Sequence, residues 1–418
     1  MSAFKELGYW LQDLRAYRRV SRKRLTLRQP GQGINHIAQG ATVREIVARL
    51  HPERMQLHVV DVIQATPSTK TFRLERLDGP LPPFRPGQYV NLFVEVDGVL
   101  TSRPYSIASP PPGDGGSTLE LTIRDKPGGF VAPYLLNEIK SGDKLETTGP
   151  AGTFYHEPLI DGRDLVFLAG GSGITPFMSI IRDAIHNQRA LKIHLLYGSR
   201  TPDDVIYSQE LEGLTATDGR RLPSKGLLTE PVDPDSWTRD RGPNLNYALV
   251  ISEPPPGYDG LTGFITADLI REVVGDLHDK TFYICGPNVM YDFCLTSLRA
   301  LEVPSHKIKR ELYGPPDDVT REPGWPQDLA PDTIFDVSVQ GRGGIRAPAG
   351  EPLLNSLERY GVVLPALCRA GECSACRTRL LSGRVFQPAR TGLRESDREH
   401  GYIHACVSYP LEDLSIRI

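Results

Sequence analysis

Cys368, Cys373, Cys376 and Cys406, four of the six cysteines in the chain, follow the spacing C-x4-C-x2-C-x29-C. This spacing holds a 2Fe–2S cluster by four thiolates. Two tetrahedral irons each require two thiolates, and the bridging sulfides require backbone N–H donors close by, so the loop has to curl tightly. Gly371 allows that because glycine adopts positive φ, and Ala370, Ser374 and Ala375 leave the backbone room to approach. Zinc is the competing reading. Structural zinc sites usually pair two C-x2-C knuckles, whereas this chain has a single one.

The run from Cys368 to Gly383 resembles the cluster loop of plant-type ferredoxins. Other parts of the chain differ in pattern. At 418 residues, about three domains are expected. A net charge of −3 excludes a strong overall field for nucleic acid. No stretch approaches the ~18–20 consecutive apolar residues of a membrane span. Arg15, Arg18, Arg19, Arg22, Lys23 and Arg24 stand where a secretory signal would need an apolar core. With few cysteines, most of them in one metal motif, the expectation is a reducing compartment, the cytoplasm.

Between residues 55 and 158, short alternating runs such as Leu57–Ile63, Thr71–Leu74, Tyr89–Val94 and Leu119–Ile123 recur between turn signals. That pattern predicts an antiparallel barrel or sandwich. From 159 to 314 the runs become continuously apolar, as in Leu165–Leu168, Ile193–Tyr197, Ala248–Ile251 and Phe282–Cys285, each followed by a helical stretch. Buried parallel strands read this way, which predicts a doubly wound α/β domain. Residues 315–331 hold Pro315, Pro316, Pro323, Pro326 and Pro331 with little periodicity and read as a linker before a cysteine-loop domain at 332–418.

The strand Ser102-Arg103-Pro104-Tyr105-Ser106 resembles the flavin-binding strand of the ferredoxin–NADP reductase superfamily, which sits on a six-stranded barrel. The resemblance implies that Arg103 pairs with flavin phosphate, Tyr105 packs on the flavin and Ser106 hydrogen-bonds near its N5. A guanidinium fork suits phosphate, and an aromatic face suits a planar ring. Thr122, Ile123 and Arg124 align with positions that line the flavin. Gly128, Gly129 and Val131 open a helix whose free N–H groups suit a pyrophosphate. Ala132 stands where relatives often place serine, which leaves that binding to the backbone. FAD is the expected flavin, with FMN as the alternative.

In the α/β domain a strand ends in Gly170-Gly171-Ser172-Gly173-Ile174-Thr175, a glycine-rich turn that starts a helix, as dinucleotide sites require. The same superfamily resemblance covers Tyr197-Gly198-Ser199-Arg200, Cys285-Gly286-Pro287 and Glu311-Leu312-Tyr313, each at the carboxyl end of an expected strand. It implies that Ser172, Thr175, Tyr197, Ser199, Arg200, Gly286 and Pro287 hold the nicotinamide nucleotide. Cys285 would lie beside the reacting ring carbon, and Glu311 would position the ring or take part in proton transfer. Arg200 argues for NADPH, while Asp203 and Asp204 argue against a 2′-phosphate, so NADH is expected.

Residues 1–54 carry eleven Lys/Arg against four Asp/Glu. Phe4, Leu7, Leu11 and Leu14 predict an amphipathic helix over residues 3–19. Its apolar face could pack on its own flavin domain, or the segment could dock an acidic partner or an anionic membrane surface. The domain order resembles the reductase components of ring-hydroxylating oxygenases and of phenylacetyl-CoA epoxidase. That resemblance implies an NAD(P)H-dependent oxidoreductase whose cluster passes single electrons to a partner protein, an oxygenase component. A hybrid-cluster, corrinoid or demethylase acceptor, or a redox-sensing role, are the alternatives.

Overall fold

The computed structural model describes residues 45–47, 52–113, 116–126, 128–217 and 243–418. The expected helix over residues 3–19 lies outside them. From Pro52 to Ile418 the chain packs as one compact unit.

The first domain is built from β1 (Met55–Thr66), β2 (Thr69–Arg76), β3 (Tyr89–Val96), β4 (Val99–Ser106), β5 (Thr118–Arg124) and β6 (Lys144–Thr147). They form an antiparallel sheet in the order β4-β3-β6-β1-β2-β5. A bridge between Ile107 and Leu121 brings its two edges together and makes it a barrel. Alternation decides which side chains point inward: Leu57 and Val59 on β1, Phe72 and Leu74 on β2, and Val90 and Leu92 on β3 share one buried core. Helix α1 (Ala132–Glu138) adds Leu135 and Leu136 to it.

The second domain has six strands, β7 (Asp164–Gly170), β8 (Lys192–Ser199), β9 (Asn244–Ile251), β10 (Leu261–Thr262), β11 (Thr281–Cys285) and β12 (Ile308–Glu311). Its helices are α2 (Thr175–His186), α3 (Ser208–Thr217), α4 (Ala267–Val274) and α5 (Asn288–Ala300). All neighbouring strands are parallel, in the order β10-β9-β8-β7-β11-β12. Leu165, Phe167 and Ala169 pack with Phe177 on one face, while Val166 and Leu168 pack with Ile270 and Leu298 on the other. Burial on both faces explains why these strands read as unbroken apolar runs. The chain leaves β7 in one direction and returns to β11 on its other side, so a crevice opens between the carboxyl ends of these two strands.

The third domain contains β13 (Ile334–Val339), β14 (Gly343–Pro348), helix α6 (Leu353–Arg359), β15 (Arg377–Ser382), β16 (Val385–Phe386), helix α7 (Glu395–Glu399), β17 (Tyr402–His404), β18 (Tyr409–Pro410) and β19 (Leu414–Arg417). Five strands form a mixed sheet, β14-β13-β19-β15-β17, in which β13 and β19 are parallel. Helix α6 buries Leu353, Leu354 and Leu357 with that sheet's inward residues, giving a β-grasp arrangement. The proline-rich segment before this domain is strapped down: Trp325 lies edge-on to Phe386 and Tyr409, with ring centroids 5.4 and 6.2 Å away. Its composition predicts weak periodicity, but one buried indole is enough to anchor it.

Phe177, fully buried, stacks on Phe167 at 4.6 Å and meets Phe154 edge-on at 5.6 Å. Phe177→Ala is expected to destabilise the α/β domain by about 3–5 kcal/mol, seen as a lowered denaturant midpoint.

Candidate functional site

The four cysteine sulfurs come together as two couples, Cys368 with Cys373 and Cys376 with Cys406. Within each couple the shared hydrogen bond pushes one thiol's pKa down, at Cys373 and Cys376, and its partner's up, at Cys368 and Cys406. Two thiols per metal is what a two-iron cluster needs. Among the described residues no larger group converges on one point as a single ion would require. The N–H groups of Ala370, Glu372 and Cys373 all donate to Cys368 Sγ at 3.4 Å. The loop turns through positive φ at Arg369, Gly371 and Ser374, and a Cβ on Gly371 would collide with Val407 Cγ2 at 2.7 Å. Buried His404 braces it from behind. Its Nδ1 donates to the Gly371 carbonyl at 2.7 Å, which leaves Nε2 to accept from Ser374 Oγ at 3.1 Å.

On the barrel, Ser106 ends β4 facing the second domain, where its Oγ shares a short hydrogen bond with the Tyr313 hydroxyl. Tyr313 also donates to Glu311 Oε2 at 2.5 Å. Burial pushes the Glu311 carboxyl up to about 8, opposed by that hydrogen bond, while Glu372 and Cys368 raise it further. Cys285 ends β11 beside Glu311. Burial and then the Glu311 charge raise its thiol, while Tyr313 and Tyr291 hydrogen-bond to it. One hydroxyl from the barrel, one thiol and one carboxyl from the sheet, and the loop of Cys368 thus meet in one place. Further along β4, half-buried Arg103 and buried Arg369 lie near a single carboxylate, Glu358, and loss of hydration together with Arg369 lowers the pKa of Arg103 to about 10. Two guanidiniums against one carboxylate leave a buried positive charge that an anion would neutralise. A flavin phosphate fits that need.

Beyond the strand ends lies a cavity of about 400 Å³, walled by Arg124, Gly170, Gly171, Ser172, Gly198, Ser199, Arg200, Phe264, Pro287, Met290 and Phe293, among others. Its floor is the glycine-rich turn. A Cβ on Gly173 would lie 2.2 Å from the Cys285 carbonyl oxygen, so only glycine lets the turn pack this closely on the end of β11. Tyr197, fully buried, supports the turn by donating to the Gly171 carbonyl at 3.1 Å. Thr175 Oγ1 donates to the Ser172 carbonyl at 2.9 Å. Arg124 reaches across from the barrel to Asp204 at 2.8 Å, and Arg200 lies 3.6 Å from the same carboxylate oxygen.

Residues 56–156 match an oxidoreductase FAD-binding domain, 167–243 an oxidoreductase NAD-binding domain and 337–411 a 2Fe-2S iron-sulfur cluster binding domain. The chain belongs to the ferredoxin–NADP reductase superfamily, in its three-domain flavin, nucleotide and iron–sulfur form. It is 26% identical over 377 residues to the glycine betaine monooxygenase reductase subunit of Pseudomonas aeruginosa, covering 87% of this chain and 95% of that one. With the NADH oxidoreductase HCR of Escherichia coli it shares 28% identity over 366 residues, covering 87% and 97%. With the ferredoxin reductase component of the 3-ketosteroid-9-alpha-monooxygenase of Rhodococcus rhodochrous it shares 26% over 337 residues, covering 79% and 86%. Among solved structures, phthalate dioxygenase reductase has the same fold, with a TM-score of 0.60 and 21% identity over 87% of this chain and 98% of that one.

The reductase brings Ser106, Cys285 and Glu311 together as the motifs lead one to expect. Arg124, expected beside the flavin, lines the cavity beyond the strand ends together with Gly171 and Ser172. Tyr313, Asp204, Phe264, Phe293 and His404 are absent from the candidates named from sequence. Tyr313 stood inside a recognised motif, and Asp204 was legible only as an acid near Arg200. Nothing in the sequence pairs Phe264 with Phe293, whose rings stack at 5.5 Å.

Glu311 has a folded pKa raised from 4.5 to about 8 by burial, so its contribution to stability is fully present below 4.5 and is lost as pH rises through about 8. Glu311→Gln is expected to flatten the decline of the thermal midpoint across that window.

Proposed function

We propose that this reductase takes hydride from NADH and delivers single electrons to a partner protein, an oxygenase component, in a reducing cytoplasm. The observation that carries this reading is the convergence of Ser106, Cys285, Glu311 and Tyr313 beside the loop of Cys368. Held at this site, FAD would supply the exchange between a two-electron hydride donor and a one-electron 2Fe–2S acceptor. Arg103 neutralises the flavin phosphate, Tyr105 packs against the flavin, and the N–H groups after Gly128 and Gly129, leading through Val131 into α1, hold the pyrophosphate. Thr122 and Ile123 complete the barrel side of that site.

Ser172, Gly286 and Pro287 frame the nicotinamide nucleotide at the mouth of the crevice, with Gly170, Gly171 and Gly173 letting its pyrophosphate come close. Ser106 presents a hydroxyl toward flavin N5. Cys285 and Glu311 exclude water from the nicotinamide, and Glu311, neutral at pH 7 by virtue of its burial, holds a proton within hydrogen-bond reach of Tyr313. Cys368, Cys373, Cys376 and Cys406 ligate the cluster. The working boundaries are a basic extension at 1–54, the flavin barrel at 55–158, the nucleotide domain at 159–314, a linking strap at 315–331 and the cluster domain at 332–418.

NADH is preferred because Asp204 engages the cationic groups that a 2′-phosphate would need, Arg200 and Arg124. An oxygenase acceptor is supported by the Pseudomonas aeruginosa and Rhodococcus rhodochrous relatives, both reductases of monooxygenase systems.

Anaerobic addition of one equivalent of NADH to the purified holoprotein is expected to bleach flavin and cluster absorbance together. Cys376→Ser should keep the flavin bands and lose those of the cluster. Flavin without a cluster in the unaltered protein would overturn the reading. Asp204→Asn is expected to raise kcat/KM for NADPH relative to NADH by about tenfold, the effect of freeing one charged hydrogen-bonding partner.

A further inference from the structure

Strand β4, which carries Arg103, Tyr105 and Ser106, begins with Val99, Leu100, Thr101 and Ser102. Thr101 and Ser102 are almost wholly buried, at 2% and 4% exposure, although both are polar. What buries them is the cluster domain: helix α6 lies across β4 and the cysteine loop follows it. The Thr101 hydroxyl donates to Glu358 Oε2 at 2.9 Å. It accepts from an Arg103 guanidinium nitrogen at 2.7 Å and from an Arg369 guanidinium nitrogen at 3.1 Å. One donor and two acceptor sites are all a hydroxyl has, so Thr101 is saturated. Arg369, next in sequence to the ligand Cys368, closes the set by donating to both carboxylate oxygens of Glu358. A few ångströms along, Asn91 Nδ2 donates to Ser102 Oγ at 2.8 Å and to the Ala366 carbonyl, two residues before Cys368.

A network of this kind is a poor source of stability. Glu358 and Arg369, each 4% exposed, have given up most of their hydration, and a buried ion pair roughly breaks even against apolar residues of the same size. It is strongly directional, however, because each donor accepts only one arrangement of partners, and sliding the cysteine loop along β4 would leave buried charges unpaired. Arg369 also holds positive φ, 53°, a conformation that a side chain other than glycine adopts rarely and that its contacts must maintain. The same guanidinium expected to meet the flavin phosphate, that of Arg103, shares the Thr101 hydroxyl with the residue beside the first cluster ligand.

We propose that Thr101 and Glu358 are positioning residues, a latch that fixes the cluster loop in one register against the flavin-binding strand. The latch touches neither the reacting atoms nor the cluster sulfurs. It acts through Arg369 and Arg103, and it rests on the electron path proposed above.

The test uses full-length holoprotein carrying Thr101→Val, Thr101→Ser or Glu358→Gln, with stopped-flow spectroscopy separating flavin reduction by NADH from the later reduction of the cluster. Thr101→Val and Glu358→Gln are expected to leave the first phase unchanged and to slow the second by about ten- to a hundredfold, as ångström-scale misplacement of reacting groups does. Amide hydrogen exchange across residues 353–370 should quicken in both variants. Thr101→Ser, which keeps the hydroxyl, should restore both readouts. Loss of the cluster from Thr101→Val with flavin retained also supports the latch, since that side chain lies on the barrel. Should Glu358→Gln fail to fold, Thr101→Val, nearly identical in shape, decides. Cluster reduction and exchange at the unaltered rates in Thr101→Val would overturn the inference. Failure of NADH to bleach the unaltered protein would instead overturn the electron path.

Discussion

The Tyr313 hydroxyl is the contact on which the functional arrangement depends. It bonds Ser106 of the barrel and Glu311 of the parallel sheet, and Cys285 lies against it. Through Tyr291, which donates to the Glu311 carbonyl, the same group is tied to helix α5. Ser106, Cys285 and Glu311 each stand at the end of a strand, where the ladder stops and a side chain can face a neighbouring domain. Three domains therefore present strand ends and one loop to a common point, and burial at that point keeps the Glu311 carboxyl protonated near neutrality.

A second constraint is charge. Between them the barrel and the cluster domain bury Arg369 and Glu358 and half-bury Arg103, with one more positive than negative group. Such an excess is costly in a low-dielectric interior unless an anion joins it, which couples the geometry of the barrel to what it binds. Across the nucleotide cavity Asp204 likewise receives two guanidiniums, Arg124 and Arg200, but Arg200 is more than half exposed, so water hydrates the excess charge there. The two places thus differ in how far their guanidiniums are withdrawn from water, not in the count of carboxylates beside them.

Much of the fold was legible residue by residue. Alternation from Leu57 to Ile123 announced a half-buried antiparallel sheet, and the unbroken runs at Leu165 and Phe282 announced strands covered on both faces, because burial pattern follows strand geometry directly. Alternation alone left barrel and sandwich open; the resemblance of Ser102–Ser106 implied the barrel, which the Ile107 to Leu121 bridge closes by joining the sheet's edges. The proline-rich strap read as a plain linker because its anchorage depends on Trp325 meeting Phe386 and Tyr409, residues more than sixty positions away.

By itself the sequence determined the local chemistry: the cysteine spacing that demands two irons, the glycine-rich turn after β7, and the acid, thiol and hydroxyl placed at strand ends. These are properties of short segments, set by backbone conformation and by side-chain chemistry at fixed spacing. Only the tertiary structure decided which distant groups would share a buried volume. It paired Arg124 with Asp204, set His404 behind the cysteine loop, and joined Thr101 to Glu358 and Arg369 across more than two hundred and fifty residues. Hydrogen bonds and ion pairs act over a few ångströms, and separation along the chain carries no information about separation in space until the cores have packed.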